Sequence, residues 1–290
     1  MDGLNDLFLT YSTTIGVLGI NGLLALSVWL TLYCGQLTLG NAAFMGIAAY
    51  SSALLTMRAD LPFPLALLAG ALLAGLVSLP LGATVFRLRG VYLAIATLAF
   101  GEVIRVVILA IPATGKGQGL VGIPATTELW QIYLSLALIT YFLARLRLSI
   151  VGRAWAAIRE DEVAAASQGI AVRRYKLLAF VLGALIAGLA GGLSAHFNFA
   201  LQPDEFGFAR AVQILVFAVV GGVPNVLGPL LGALLFTGLP EILRGLQEYR
   251  DIFQGAVLVL VIVYLPRGLV TLFQLRRTRR LQRVGAADVA

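Results

Sequence analysis

Few residues in this 290-residue chain have side chains able to do chemistry. Glu102 and Arg105 stand three apart in LAFGEVIRVVIL, an otherwise apolar run. On a helix that spacing puts a carboxylate and a guanidinium on one face, where they can pair. Ionisable groups inside an apolar span are costly and usually face protein or water. The pair reads as a polar element of a solute path or as an anchor between helices. His196 is the only histidine and Cys34 the only cysteine, which excludes a His/Cys metal cluster and an internal disulfide. Ser194 is two residues from His196, and such positions do not face each other on a helix. A packed histidine is expected over a protease dyad. Gly115-Lys116-Gly117 lacks the spacing of a phosphate loop and follows no strand. No nucleophile elbow, paired carboxylates or metal-ligand pattern appears, so no catalytic role is expected.

The other chemistry is recognition. The segment 146–175 is too charged to span a membrane. Val151, Trp155, Ile158, Val163, Ala166 and Ile170 fall near helical spacing, with Arg153, Arg159, Glu160 and Asp161 largely elsewhere. This predicts one amphipathic helix between two spans, with Gly169 as its stop. The run Glu160-Asp161-Glu162 weakens attraction to an anionic leaflet and suits a protein partner. A helix lying on lipid is the alternative.

The elements around these residues follow from composition. About 60% of residues are hydrophobic and 12% charged, with 32 glycines and a mean hydropathy of +0.94. Soluble domains are roughly 25% charged. The expectation is an all-α integral membrane protein, a polytopic bundle of about nine transmembrane helices. The spans are placed near 14–33, 36–57, 63–86, 91–111, 129–145, 176–198, 210–224, 226–244 and 252–272. The seventh and eighth are short and separated by Val223-Pro224-Asn225, so they read as half-helices or as a tight hairpin. Residues 1–13 carry two acids and no Lys or Arg, unlike the basic start of a signal peptide, so a retained first span is expected. Of the 21 basic residues, 15 fall on the side holding 146–175 and five, including Arg210, on the other. The positive-inside rule then puts the N-terminus outside and the C-terminus in the cytoplasm. Net charge is +7; the five arginines of Arg276–Arg283 suit anionic headgroups better than nucleic acid. Small residues recur every four positions at Ala66, Gly70, Ala74, Ser78 and Gly82, and again at Gly183, Ala187, Gly191 and Ala195. Such stripes let helix backbones approach closely in lipid.

Several stretches together resemble one family. They are TLGNAAFMGIAAYSSALL (38–55), LRGVYLAIATLAFGEVIR (88–105), GLVGIP (119–124), the segment 152–193, VGGVPNVLGPLLGALL (220–235) and LPRGL (265–269). In order and over roughly residues 20–272, they resemble the permeases of branched-chain amino acid ABC importers, nearest to the M-type member of the two-permease pair. The resemblance implies a permease domain at 14–275, a cytoplasmic coupling segment near 146–175 and a basic tail at 276–290. It implies a second homologous permease, two ATPase subunits that hold ATP and Mg, and a substrate-binding protein outside, with no cofactor on this chain. In that frame Trp155, Ile158, Asp161, Glu162, Ala164, Ala165 and Gly169 would couple to the ATPase. Glu102, Arg105, Asn41 and Asn225 would be candidates for the translocation path. The solute would be a branched-chain or related amino acid; alternatively urea, a short amide or another small organic solute. A secondary transporter and an intramembrane enzyme are the remaining rivals, and the location would be a bacterial inner membrane.

Overall fold

A computed structural model describes residues 2–242 and Gly255. The described residues are helical almost throughout. Helix α1 is Asp2–Tyr33, α2 Asn41–Arg58, α3 Phe63–Val85, α4 Val91–Ala110 and α5 Leu129–Leu148. Two short helices follow, α6 Ile150–Glu160 and α7 Glu162–Ser167, then the long α8, Val172–Asn198. The last described pair is α9 Phe208–Gly221 and α10 Leu227–Ile242. Among the described residues five segments are long and apolar enough to cross a membrane: Ser12–Tyr33, Phe63–Val85, Val91–Ala110, Leu129–Leu148 and Val172–Asn198. The expected ninth span, the basic tail and the tail's arginines lie outside the described residues.

Helices α2 and α8 form the centre. Helix α2 packs on α3, α4, α8 and α9, while α8 packs on α1, α2 and α3. Helix α1 also borders α5, α9 and α10. The small-residue stripes are where this happens. All five stripe positions of α3 and all four of α8 are buried. A Cβ on Gly70 would sit 2.8 Å from the Ala48 carbonyl, and one on Gly191 would overlap the Met45 carbonyl. The backbones are in contact there, so no side chain larger than hydrogen fits.

Helix α2 begins at Asn41, five residues later than expected, because residues 34–40 turn back from α1. It is buried along most of its length and is rich in Ala, Gly and Ser. Protein surrounds it, so it needs little of the hydropathy that lipid-facing helices need. Helix α5 is the opposite case: only Ile132 and Leu143 are buried, and Leu134, Leu138, Tyr141 and Phe142 are exposed. Its start is set by a reciprocal cap between Glu128 and Gln131.

Outside the helices, Leu120–Val121 pairs antiparallel with Ala200–Leu201. The GLVGIP stretch thus ties the loop after α4 to the exit of α8. Gly119 (φ +76°) is required here, since a Cβ would overlap the Leu201 carbonyl. Gly115 links two 3-10 turns after α4 and Lys116-Gly117 opens the second, with no strand before them.

Helices α9 and α10, 14 and 16 residues long, pack against each other as a tight hairpin. Gly221, Gly228 and Gly232 bring the two backbones together. Trp29 of α1 donates its indole N–H to the Val223 carbonyl at 2.8 Å and fixes the turn.

Candidate functional site

The segment 146–175 is two helices, not the single amphipathic helix expected. Ser149 caps α6 by accepting from the Gly152 N–H. Asp161 then ends α6 and starts α7: its Oδ1 accepts from the Val163 and Ala164 N–H groups at 2.8 and 3.0 Å. A side chain capping a new helix breaks the old one, and the apolar register shifts across the break. Val151, Trp155 and Ile158 keep the inward face of α6. Val163 and Ala166 turn outward instead, and Ala165 takes the buried position. Gly169, at φ +80°, makes the αL turn that leads toward α8.

The residues expected to couple to a partner therefore divide into two groups. Trp155 is 1% exposed, and its indole N–H donates to the Tyr175 carbonyl at 2.8 Å. Trp155 and Ile158 face the bundle and hold α6 down. Glu162 also turns inward and accepts from Lys176 Nζ at 2.8 Å. Gly35 backs onto Arg159, where a Cβ would lie 3.1 Å from Cα, and the Arg159 guanidinium lies over the Tyr33 ring. What faces outward is Glu160 and Asp161, Val163 and Ala164, and the stretch 166–169. This is a small exposed surface held from beneath by Trp155, Ile158 and the Glu162–Lys176 pair.

Glu102 and Arg105 do pair, with Arg105 Nε donating to Glu102 Oε2 at 2.8 Å. Both also reach further. Arg105 Nη1 bonds Asp204 Oδ1 at 2.9 Å, and Glu102 Oε1 accepts from the Phe208 N–H at 3.1 Å. The carboxylate thereby caps the first turn of α9, where the helix dipole favours negative charge. The pair anchors α4 to the turn Pro203–Phe206 and to α9.

Asn41 lies elsewhere, 3% exposed, in a buried chain of Ser27, Asn41, Thr38 and Thr31 between α1 and α2. Asn225 caps α10 by accepting from the Leu227 N–H at 3.3 Å. The four candidate path residues are engaged by different neighbours, and the structure does not gather them into one site. His196 is buried against Phe63, with Thr56 and the Gly192 carbonyl as hydrogen-bond partners, and packs as expected.

Arg210, expected among the outer-side charges, lies in the first turn of α9 against the middle of α1. Its Nη2 donates to Asn21 Oδ1 and its Nη1 to Gln213 Oε1, both at 2.8 Å. Asn21 Nδ2 donates in turn to Thr237 Oγ1 of α10 at 2.9 Å. The i,i+3 spacing of Arg210 and Gln213 carried the same kind of signal as Glu102 and Arg105.

A bundle of apolar helices with buried amides and ion pairs, plus a charged two-helix appendage, is a multi-pass membrane protein. Residues 10–262 match the family described as branched-chain amino acid transport system / permease component, and the chain belongs to it. It is 34% identical over 287 residues to the high-affinity branched-chain amino acid transport system permease protein LivM of Escherichia coli K12, covering 87% of this chain and 66% of LivM. It is 32% identical to LivH of the same organism over 174 residues, covering 56% of this chain and 55% of LivH. It is 30% identical to the autoinducer 2 import system permease protein LsrC of Klebsiella pneumoniae over 121 residues, covering 39% of this chain and 35% of LsrC. The chain thus spans just under two thirds of the LivM it matches. No solved structure matches it significantly.

Proposed function

We propose that this chain is a permease subunit of an ATP-driven importer of branched-chain or related amino acids. It works beside a second homologous permease, on two ATPase subunits that bind ATP and Mg, and receives solute from an external binding protein. The observation that carries this reading is the family match over residues 10–262, with relatives named for branched-chain amino acid transport. The 15:5 distribution of basic residues supports an inner-membrane orientation with the N-terminus outside and 146–175 in the cytoplasm.

The mechanism is alternating access driven from the cytoplasmic side. Trp155, Ile158 and the Glu162–Lys176 pair make α6 and α7 move with α8 as one body. Ala164 and Gly169, without bulky side chains, allow a partner's cleft to close on α7. Asp161 acts through the backbone it caps, and Ala165 by filling the space beneath α7. Glu102 and Arg105 transmit displacement of α4 to α9 through Asp204 and Phe208. Asn41 and Asn225 hold the α1–α2 and α9–α10 junctions.

The test is reconstitution of this chain with the permease, ATPases and binding protein encoded beside it. ATP-dependent L-leucine uptake that stops when the binding protein is omitted is the expected result. ATP-independent uptake would point to a secondary transporter and overturn the reading. The likeness to LsrC favours, as a second reading, another small solute on the same machinery; uptake of that solute without leucine would select it.

A further inference from the structure

Arg105 and Arg210 both lie at membrane depth, and they are treated differently. Arg105 is neutralised by Glu102 and Asp204. Arg210 hydrogen-bonds only neutral groups, the side-chain oxygens of Asn21 and Gln213, while Glu205 acts on it electrostatically from beyond ion-pair distance. Among the described residues no carboxylate lies within ion-pair distance of it. Asn21 is 3% exposed and stands near the middle of the Ser12–Tyr33 span, which fixes the depth of the guanidinium. Thr237 holds Asn21 from a third helix. The two hydrogen bonds use two of the five N–H groups of an arginine and leave a charged, oriented fork. An arginine at such a depth is costly against lipid, and one without a contact ion pair can still take an anion or water on its free N–H groups.

We infer that Arg210, oriented by Asn21 and Gln213, is a binding station for the carboxylate of the transported solute. The inference rests on the importer reading above and adds where the solute is held. Guanidinium and carboxylate match as planar, bidentate partners, which neutral amides do not. Asn21 and Gln213 aim the fork without cancelling its charge. Because α1, α9 and α10 each contribute a group, a shift of the α9–α10 hairpin against α1 disassembles the station. That lets the same contacts bind on one side and release on the other.

The test uses the complete reconstituted transporter, with an Arg210→Cys substitution in a Cys34→Ser background. Loss of a charge-assisted pair should lower L-leucine uptake about tenfold or more, while ATP hydrolysis stimulated by loaded binding protein stays within about twofold. Treatment with the cationic thiol reagent 2-aminoethyl methanethiosulfonate should restore uptake, and the neutral methyl reagent should not. A variant that carries leucine like the parent, a thiol neither reagent reaches, or equal effects of both reagents overturns the station. Should Arg210→Cys fail to assemble, Arg210→Lys decides: it keeps the charge but loses the fork, and its KM for leucine-loaded binding protein should be unchanged while maximal uptake falls about fivefold or more. Parental uptake from that variant overturns the station. If the parent complex itself takes up no leucine, the importer reading falls and the station with it, an outcome distinct from failure confined to the variants.

Discussion

Lys176 Nζ lies 2.8 Å from Glu162 Oε2 and ties α7 to the first turns of α8. The lysine side chain is 12% exposed and the glutamate 33%, so the pair is neither a surface bridge nor a fully buried one. Glu162→Gln should cost about 1–2 kcal/mol, between the limits for exposed and buried pairs. A fall of a few degrees in the detergent melting temperature is expected. The same variant should lower uptake per ATP hydrolysed, because α7 is no longer clamped to α8.

Asp161 separates two roles that its charge alone would confuse. As a cap of α7 it needs an acceptor oxygen, not a negative charge. Asp161→Asn should therefore retain coupled uptake, while Asp161→Ala loses about 1 kcal/mol of local helix stability and uncouples. Equal loss in both variants would show that the charge meets a partner. Glu160→Lys is the companion measurement, since Glu160 points outward at 79% side-chain exposure.

Glu102 and Arg105 should behave as a unit. Glu102→Leu leaves Arg105 with Asp204 alone and Arg105→Leu leaves Glu102 without its cation, whereas the double change removes both and leaves only the exposed Asp204. A double-mutant cycle on detergent stability should give a coupling of about 0.5–3 kcal/mol. Strict additivity would show that the anchor to α9 runs through Asp204 and Phe208 separately.

Two glycines predict opposite signs. A Cβ on Gly191 meets the backbone of Met45, which cannot move without parting α2 from α8. Gly191→Ala should cost about 1–3 kcal/mol by overpacking and lower the yield of monodisperse protein. Gly101 on α4 meets only the Ala43 side chain, at 4.0 Å. Gly101→Ala should leave the yield intact and gain up to about 1 kcal/mol from helix propensity.

Cys34 should be inert. Burial pushes its thiol up from 9.0 to about 12. The folded chain keeps the proton while the unfolded chain releases it, so this residue destabilises the fold as pH rises from 9 toward 12. At neutral pH a maleimide should label Cys34 only after denaturation, and labelling of the native protein would show that the α1–α2 turn opens.

Composition and periodicity alone established the membrane class, most of the long helices and the packing stripes on α3 and α8. These properties are local: hydropathy over some twenty residues and small residues every fourth position need no knowledge of neighbours. The same locality explains the spacing of Glu102 and Arg105 and the inward face of α6. What lay beyond sequence was decided by contacts distant along the chain. That α9 and α10 pair as a hairpin depended on Gly221 meeting Gly228 and on Trp29 holding Val223. The break at Asp161 turned Val163 outward, a change of phase that helical spacing assumes away. Glu162 looked like a docking charge until Lys176, fourteen residues on, was found beside it. Arg210 looked like a loop charge until α1 brought Asn21 to it, because depth in a membrane is set by packing between helices and not by position in the chain.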